Sequence, residues 1–171
     1  MGAIPEINYK KHTLSLYVAN KPGVLIRVAL VFARRGYNIE SLVVSPSNDP
    51  EFSTMNIVAS GDEKVLQQIL KQLNKLIDVV HASDRTDEDI IQRELALVKL
   101  HCEPTQRSDI LQLAHALKCD TVDVSERSIT LELTGSSEKL DSVNKVFEPY
   151  GVQEVMRTGK ILMARGETLT P

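Results

Sequence analysis

Thr13-Leu-Ser-Leu-Tyr-Val-Ala-Asn-Lys-Pro-Gly-Val-Leu-Ile-Arg-Val-Ala-Leu-Val-Phe-Ala-Arg-Arg-Gly36 changes its apolar period part-way along, and that change decides the architecture. Leu14, Leu16 and Val18 alternate, as the residues of a half-buried strand do. After the turn residues Asn20-Lys-Pro-Gly23, Leu25, Val28, Ala29 and Phe32 recur at i, i+3, i+4 and i+7, the stripe of an amphipathic helix. Basic Arg34-Arg35 and then Gly36 give that helix its stop. The segment reads strand, turn, helix.

Outward from it, Ile39 to Ser45 and Ser53 to Ala59 are β-rich runs joined by Pro46-Ser-Asn-Asp-Pro50, which predicts a hairpin. Ser60-Gly-Asp-Glu63 has the spacing of a capping box, so a helix is expected there with Leu66, Ile69, Leu70 and Leu73 as its buried stripe. Ile77 to Ser83 closes the unit as a strand, giving the order βαββαβ. Asp84-Arg-Thr-Asp-Glu-Asp89 is acidic and aperiodic, a linker or solvated edge. The same order then returns. Leu95 to Leu100 is a strand; Ile110, Leu113, Ala114 and Leu117 mark a helix; Thr121 to Val124 and Ser128 to Leu133 pair as strands. Leu140, Val143 and Phe147 mark the last helix, ended by Gly151, and Val152 to Ala164 forms a strand or hairpin. The fold class is therefore α+β: two ferredoxin-like βαββαβ units, placed at residues 11–86 and 93–167.

The chain has 171 residues, 42% hydrophobic and 25% charged, with a net charge of -3, a composition suited to one or two globular domains. The acidic balance argues against nucleic-acid binding by phosphate neutralisation. An RNA-recognition unit of this topology would need aromatic residues on its central strands, and the third strand reads Thr54-Met-Asn-Ile-Val58. No apolar run reaches the length of a membrane span, and Met1-Gly-Ala-Ile-Pro-Glu-Ile lacks the regions of a secretory signal. Glu6 also spoils a myristoylation signal. A cytoplasmic protein without membrane contact is expected. Cys102 and Cys119 are too few for a disulfide framework. His115 and Cys119, at i and i+4 with Cys102 nearby, could in principle hold a metal, but no CxxC and no fourth ligand accompany them, so no metal site is assigned. No phosphate loop, GxGxxG, HExxH or GxSxG is present, so no catalytic residue is assigned either.

One turn has the chemistry of a site. In Val18-Ala-Asn-Lys-Pro-Gly-Val-Leu25, Gly23 lets a ligand approach the backbone, and the amides of Gly23, Val24 and Leu25 would point out of a helix N-terminus toward an anion. Alternatively Asn20 caps the helix, Pro22 occupies its first turn and Gly23 eases the bend. Composition and spacing leave both readings open.

These residues, together with Arg34-Arg-Gly-Tyr-Asn-Ile-Glu-Ser-Leu42, Gly61-Asp-Glu-Lys64 and Lys71-Gln-Leu-Asn-Lys-Leu-Ile-Asp-Val79, resemble the regulatory small subunit of acetolactate synthase, also called acetohydroxyacid synthase. The likeness to its N-terminal ACT domain spans Lys11 to Arg85. It continues more loosely through Glu94-Leu-Ala-Leu-Val-Lys99 and Arg157-Thr-Gly-Lys160 into an ACT-like second domain. The resemblance implies a non-catalytic subunit that stimulates a large thiamine-diphosphate enzyme of branched-chain amino acid biosynthesis. It also implies feedback inhibition by valine or a related branched-chain amino acid, such as leucine or isoleucine. Thiamine diphosphate, Mg and FAD belong, by the same implication, to the catalytic partner, with no cofactor in this chain. The ACT domains are expected to pair as a homodimer, with Asn20, Gly23, Val24 and Leu25 of one chain and Asn38 and Ile39 of the other around the effector. Ile26 and Ser45 are expected neighbours of that site; relatives often carry a small hydroxyl residue at position 26 and Ala at position 45. A free-standing amino-acid-sensing ACT protein is the alternative, resting on the first unit alone.

Overall fold

The computed structural model describes residues 10–170; the opening residues, on which the expectations of no signal sequence and no myristoylation rest, lie outside them. The chain divides into two compact units, one running to Ile91 and taking back the chain from Leu162, the other Gln92–Ile161.

In the first unit, β1 (Lys10–Ala19) leads through the glycine turn into α1 (Val24–Ala33). Then follow β2 (Asn38–Pro46), β3 (Phe52–Gly61), α2 (Glu63–Leu73) and β4 (Val79–Asp84). The sheet order is β2-β3-β1-β4, and every neighbouring pair is antiparallel. Leu14, Leu16 and Val18 of β1 and Met55, Ile57 and Ala59 of β3 turn to one face, where both helices cover them. In α2 the buried residues are Leu66, Ile69, Leu70 and Leu73, as the periodicity predicts. In α1 they are Val24, Val28, Val31 and Phe32, whereas Leu25, expected in the stripe, faces out. The reason is composition: Val-Leu-Ile-Arg-Val-Ala-Leu-Val-Phe-Ala is apolar nearly all round, so period alone cannot select its core face.

The expected capping box is also shifted. Asp62, not Ser60, caps α2, its carboxylate accepting from the amides of Lys64 and Val65 at 2.8 and 3.3 Å. Ser60 is still in β3 and donates its hydroxyl to Glu40. The acidic segment after β4 is more than a solvated link: Asp84 accepts from Thr86 and faces His12 Nδ1 at 3.2 Å, and the Thr13 amide donates to Thr86 Oγ1.

The second unit repeats the plan. β5 (Ile90–His101), α3 (Arg107–Ala116), β6 (Asp120–Val124) and β7 (Ser128–Gly135) precede α4 (Ser137–Phe147), a 3-10 turn at Glu148–Tyr150 and β8 (Val152–Arg157); β9 (Ile161–Ala164) follows, and from Leu162 it falls in the first compact unit. The order is β6-β7-β5-β8, with β9 also paired to β5. Arg157 clasps the start of α4: burial opposes its charge, but hydrogen bonds to Asp141 and the nearly buried Glu94 hold its pKa above the ordinary arginine value. Among the described residues no helix is long and apolar enough to cross a membrane.

Candidate functional site: the turn between β1 and α1

The turn is held rigid from two sides. The Asn20 amide donates to Glu51 O at 2.7 Å, and Asn20 Nδ2 donates to Pro50 O at 3.0 Å, tying it to the β2–β3 hairpin. On the other side the Ala19 amide donates to Asp78 O at 2.8 Å, and Arg27 Nη2 meets Asp78 Oδ2 at 2.7 Å. Asn20 is therefore no helix cap. The residue at that position is Gly23, left-handed at φ 86, with no side chain to satisfy the helix start. Val24 N makes only a long bond, 3.4 Å, to Lys21 O, and the amides of Gly23, Leu25 and Ile26 have no hydrogen-bond partner among the described residues. Open donors at the positive end of the helix dipole are what a carboxylate needs. With Nδ2 committed to Pro50, the remaining side-chain oxygen of Asn20 is an acceptor for an ammonium group.

Arg27 is the residue that reading the sequence did not find. A Cβ built on Gly23 would lie 3.2 Å from Arg27 Nη1, so the guanidinium stands beside the open amides as a second source of positive charge. Its signal was the four-residue step from Gly23 along α1, which stacks it over the turn.

Asn38 and Ile39 are elsewhere. Asn38 pairs with Ser60, which pairs with Lys11, at the opposite end of the sheet from Asn20. At roughly 3.3 Å per residue the separation is about 30 Å. Asn38 is exposed, and Ile39 packs against the first core. One chain thus brings Asn20, Gly23, Val24 and Leu25 together and keeps Asn38 and Ile39 apart from them. Ile26 is exposed next to the open amides. Ser45 pairs with Thr54, with their hydroxyls 3.2 Å apart. It lies on the sheet face turned away from α1. The conceivable metal pair is not assembled: α3 ends at Ala116, Lys118 turns left-handed at φ 58, and this leaves His115 exposed while Cys119 turns into the core. No cluster of three potential ligands occurs among the described residues.

Two family models cover most of the chain: an AHAS small subunit-like ACT domain at residues 14–81 and the small subunit of acetolactate synthase at 93–166. The probable acetolactate synthase small subunit of Archaeoglobus fulgidus is 45% identical over 91% of this chain and 98% of its own length. The chain belongs to the acetolactate synthase small-subunit family. The acetolactate synthase small subunit of Mycobacterium bovis is 43% identical over 92% of this chain and 94% of its own. Within the family, the crystal structure of the Thermotoga maritima small subunit superposes with a TM-score of 0.82 at 35% identity, over 93% of this chain and 99% of that one. The turn and the second-strand residues of the family's ACT domain thus both lie in the region that the first family model matches.

Proposed function

We propose that this chain is the regulatory, non-catalytic small subunit of acetolactate synthase. In this reading it stimulates a large thiamine-diphosphate subunit and makes it sensitive to feedback inhibition by valine or a related branched-chain amino acid. The carrying observation is that the site is half-built. The open amides and Asn20 stand at one end of the sheet, Asn38 and Ile39 at the other, and β2 is an edge strand. Two copies joined antiparallel along β2 bring Asn38 of one to the Pro46 end of the other, the end that carries the turn.

The surface supports such pairing. Leu25 and Leu30 on α1 and Leu42 and Val44 on β2 are 36–45% exposed, apolar residues with nothing over them in one copy. An isologous dimer covers them and pairs the free edge. The effector's carboxylate then meets the amides of Gly23 and Leu25 and the Arg27 charge, its ammonium meets Asn20, and its aliphatic side chain sits among Val24, Leu25 and the second copy's Ile39. Because each chain supplies half, binding reports on dimer geometry, which couples the effector to the large subunit without contact at the catalytic centre. A free-standing sensor would leave the match over residues 93–166 without a role.

The test is an acetolactate assay of a matching large subunit with and without this chain, titrated with valine, leucine and isoleucine. Expected are no turnover by this chain alone, higher activity on mixing, and inhibition by a branched-chain amino acid only in the mixture. Turnover by the purified chain, or no change on mixing, would overturn the proposal.

A further inference from the structure

The face of the first sheet turned away from its helices is polar, and the chain from Leu162 onward, which belongs to the same compact unit, runs across it. This segment is anchored by Arg165 Nε on Asp89 Oδ1 at 3.0 Å and by the Ala164 amide on Thr170 Oγ1 at 2.6 Å. Between segment and sheet lies a cleft of about 700 Å³.

Its two walls differ in chemistry. The floor is Ser15, Tyr17, Thr54 and Asn56, and the opposite wall includes Leu162, Ala164 and Leu169. Ser15 and Asn56 are direct partners on the two central strands. Asn is a poor residue for the middle of a strand, and the Asn56 carboxamide, half-buried, makes no hydrogen bond among the described residues. It offers a donor pair and an acceptor side by side. Had the segment merely packed on the sheet, facing apolar side chains would fill the gap; small residues such as Ser15, Ala164 and Gly166 leave it open.

Charge narrows the ligand. No Lys or Arg lines the cleft, and Asp49 stands at its wall, so an anion, including the carboxylate of a free amino acid, gains nothing here. The volume falls within the range of small-molecule sites. We infer that this cleft binds an uncharged amide carrying a short aliphatic group, the amide on Asn56, the aliphatic part against Leu162, Ala164 and Leu169. The amide can belong to a small molecule or to a neutral extended segment of a partner protein.

The probe is N-acetyl-leucinamide, added to the full chain and followed by backbone amide NMR, with free leucine as the charged counterpart. Expected are saturable shifts at Ser15, Tyr17, Asn56, Leu162 and Ala164 with the neutral amide and none at those residues with free leucine. Asn56→Leu should weaken the amide about tenfold, the loss of roughly two neutral hydrogen bonds. Ala164→Leu should fill the cleft and remove binding while the thermal melt stays cooperative. A capped neutral tetrapeptide of Ala and Leu separates the two sources: tighter binding than the single amide points to a protein segment, equal or weaker binding to a small molecule, and both carry the amide chemistry. No saturable shift up to the solubility limit, shifts confined to Gly23 to Ile26, or unchanged binding by both variants would overturn the inference.

Discussion

The two units share one plan, yet the turn after the first strand is built on a left-handed glycine beside a cation in one and on acidic side chains in the other. After β1 the chain reaches α1 through left-handed Gly23 with unpaired amides and Arg27 alongside. After β5 the corresponding turn runs from Glu103 to Gln106 and is acidic: the Gln106 amide donates to Glu103 O at 2.9 Å, the Glu103 carboxylate meets His101 Nε2 at 2.9 Å, and Asp109 stands in the first turn of α3, whose cap residue Gln106 makes no side-chain bond to the helix start. Asp109 adds a negative charge to the first turn of that helix, where α1 has no acidic residue, and so offsets its positive end. The outer edges differ likewise. On β2 the exposed residues include Leu42 and Val44, whereas on β6 exposed Val122 and Val124 alternate with Asp120 and Asp123, charges that discourage edge pairing. One topology thus carries two different helix starts and two different outer edges, and the difference lies in a handful of turn and edge residues.

The largest expected effect comes from breaking the first edge. Leu42→Lys with Val44→Lys should turn a dimer into a monomer and remove effector binding with it. Each apolar side chain lost from an interface costs about 1.5–3 kcal/mol, and the new charges face like charges across the two-fold axis. Sedimentation equilibrium with and without valine checks this. The matched change at the second edge, Val122→Lys with Val124→Lys, should leave the association state as it is; if both pairs act equally, the contrast between the edges is wrong.

Next in size is Gly23→Asp. The left-handed backbone costs a non-glycine residue on the order of 1 kcal/mol, and the new carboxylate would lie against Arg27, taking the place of the ligand's own. Inhibition by valine should be abolished while stimulation of the large subunit persists, read by calorimetry and by activity of the reconstituted enzyme. Glu103→Ala, in the corresponding turn of the second unit, should change neither. A Gly23→Asp protein that melts normally and binds valine like the parent would remove the turn from the site.

Asn20→Ala should do less. Asn20 does not cap α1, so the helix loses nothing directly, and the fold gives up one exposed bond to Pro50 O, about 0.5–1.5 kcal/mol. Effector affinity should fall by about 1.5–3 kcal/mol, one hydrogen bond to a charged ligand. Valine titration of both proteins separates these figures, and an unchanged affinity would mean that Asn20 braces the turn without touching the ligand.

What the sequence discloses follows from how local each signal is. The buried stripe of α2 and the βαββαβ order are legible because alternation and helical period survive in short windows. The face of α1 is not, because apolar residues destined for its core and its exposed side look alike. Ser60 and Asp62 both have capping chemistry, and only the length of β3, which keeps Ser60 paired, decides between them. Resemblance names Asn38 and Gly23 as one site, and register then places them at opposite ends of a sheet. Arg27 with Asp78, and the segment that crosses the polar face, are contacts between distant parts of the chain that no local window contains.

The smallest expected effect again separates the units, through Cys119. The thiol lies in the second core, and burial raises its pKa above the ordinary 9.0, with nearby Lys139 opposing and Asp120 adding to the shift. A raised folded-state pKa means that the neutral thiol is preferred in the fold, so its contribution is complete below the unfolded pKa. It is lost as pH climbs from there through the folded value. The first unit contains no cysteine. Raising the pH past 9 should therefore lower protection of the Cys119 and Ala114 amides relative to core amides of β1 and β3, measured by hydrogen exchange corrected for the intrinsic rate. Cys119→Ala should flatten that difference, and an equal alkaline loss in the variant would trace it to other groups.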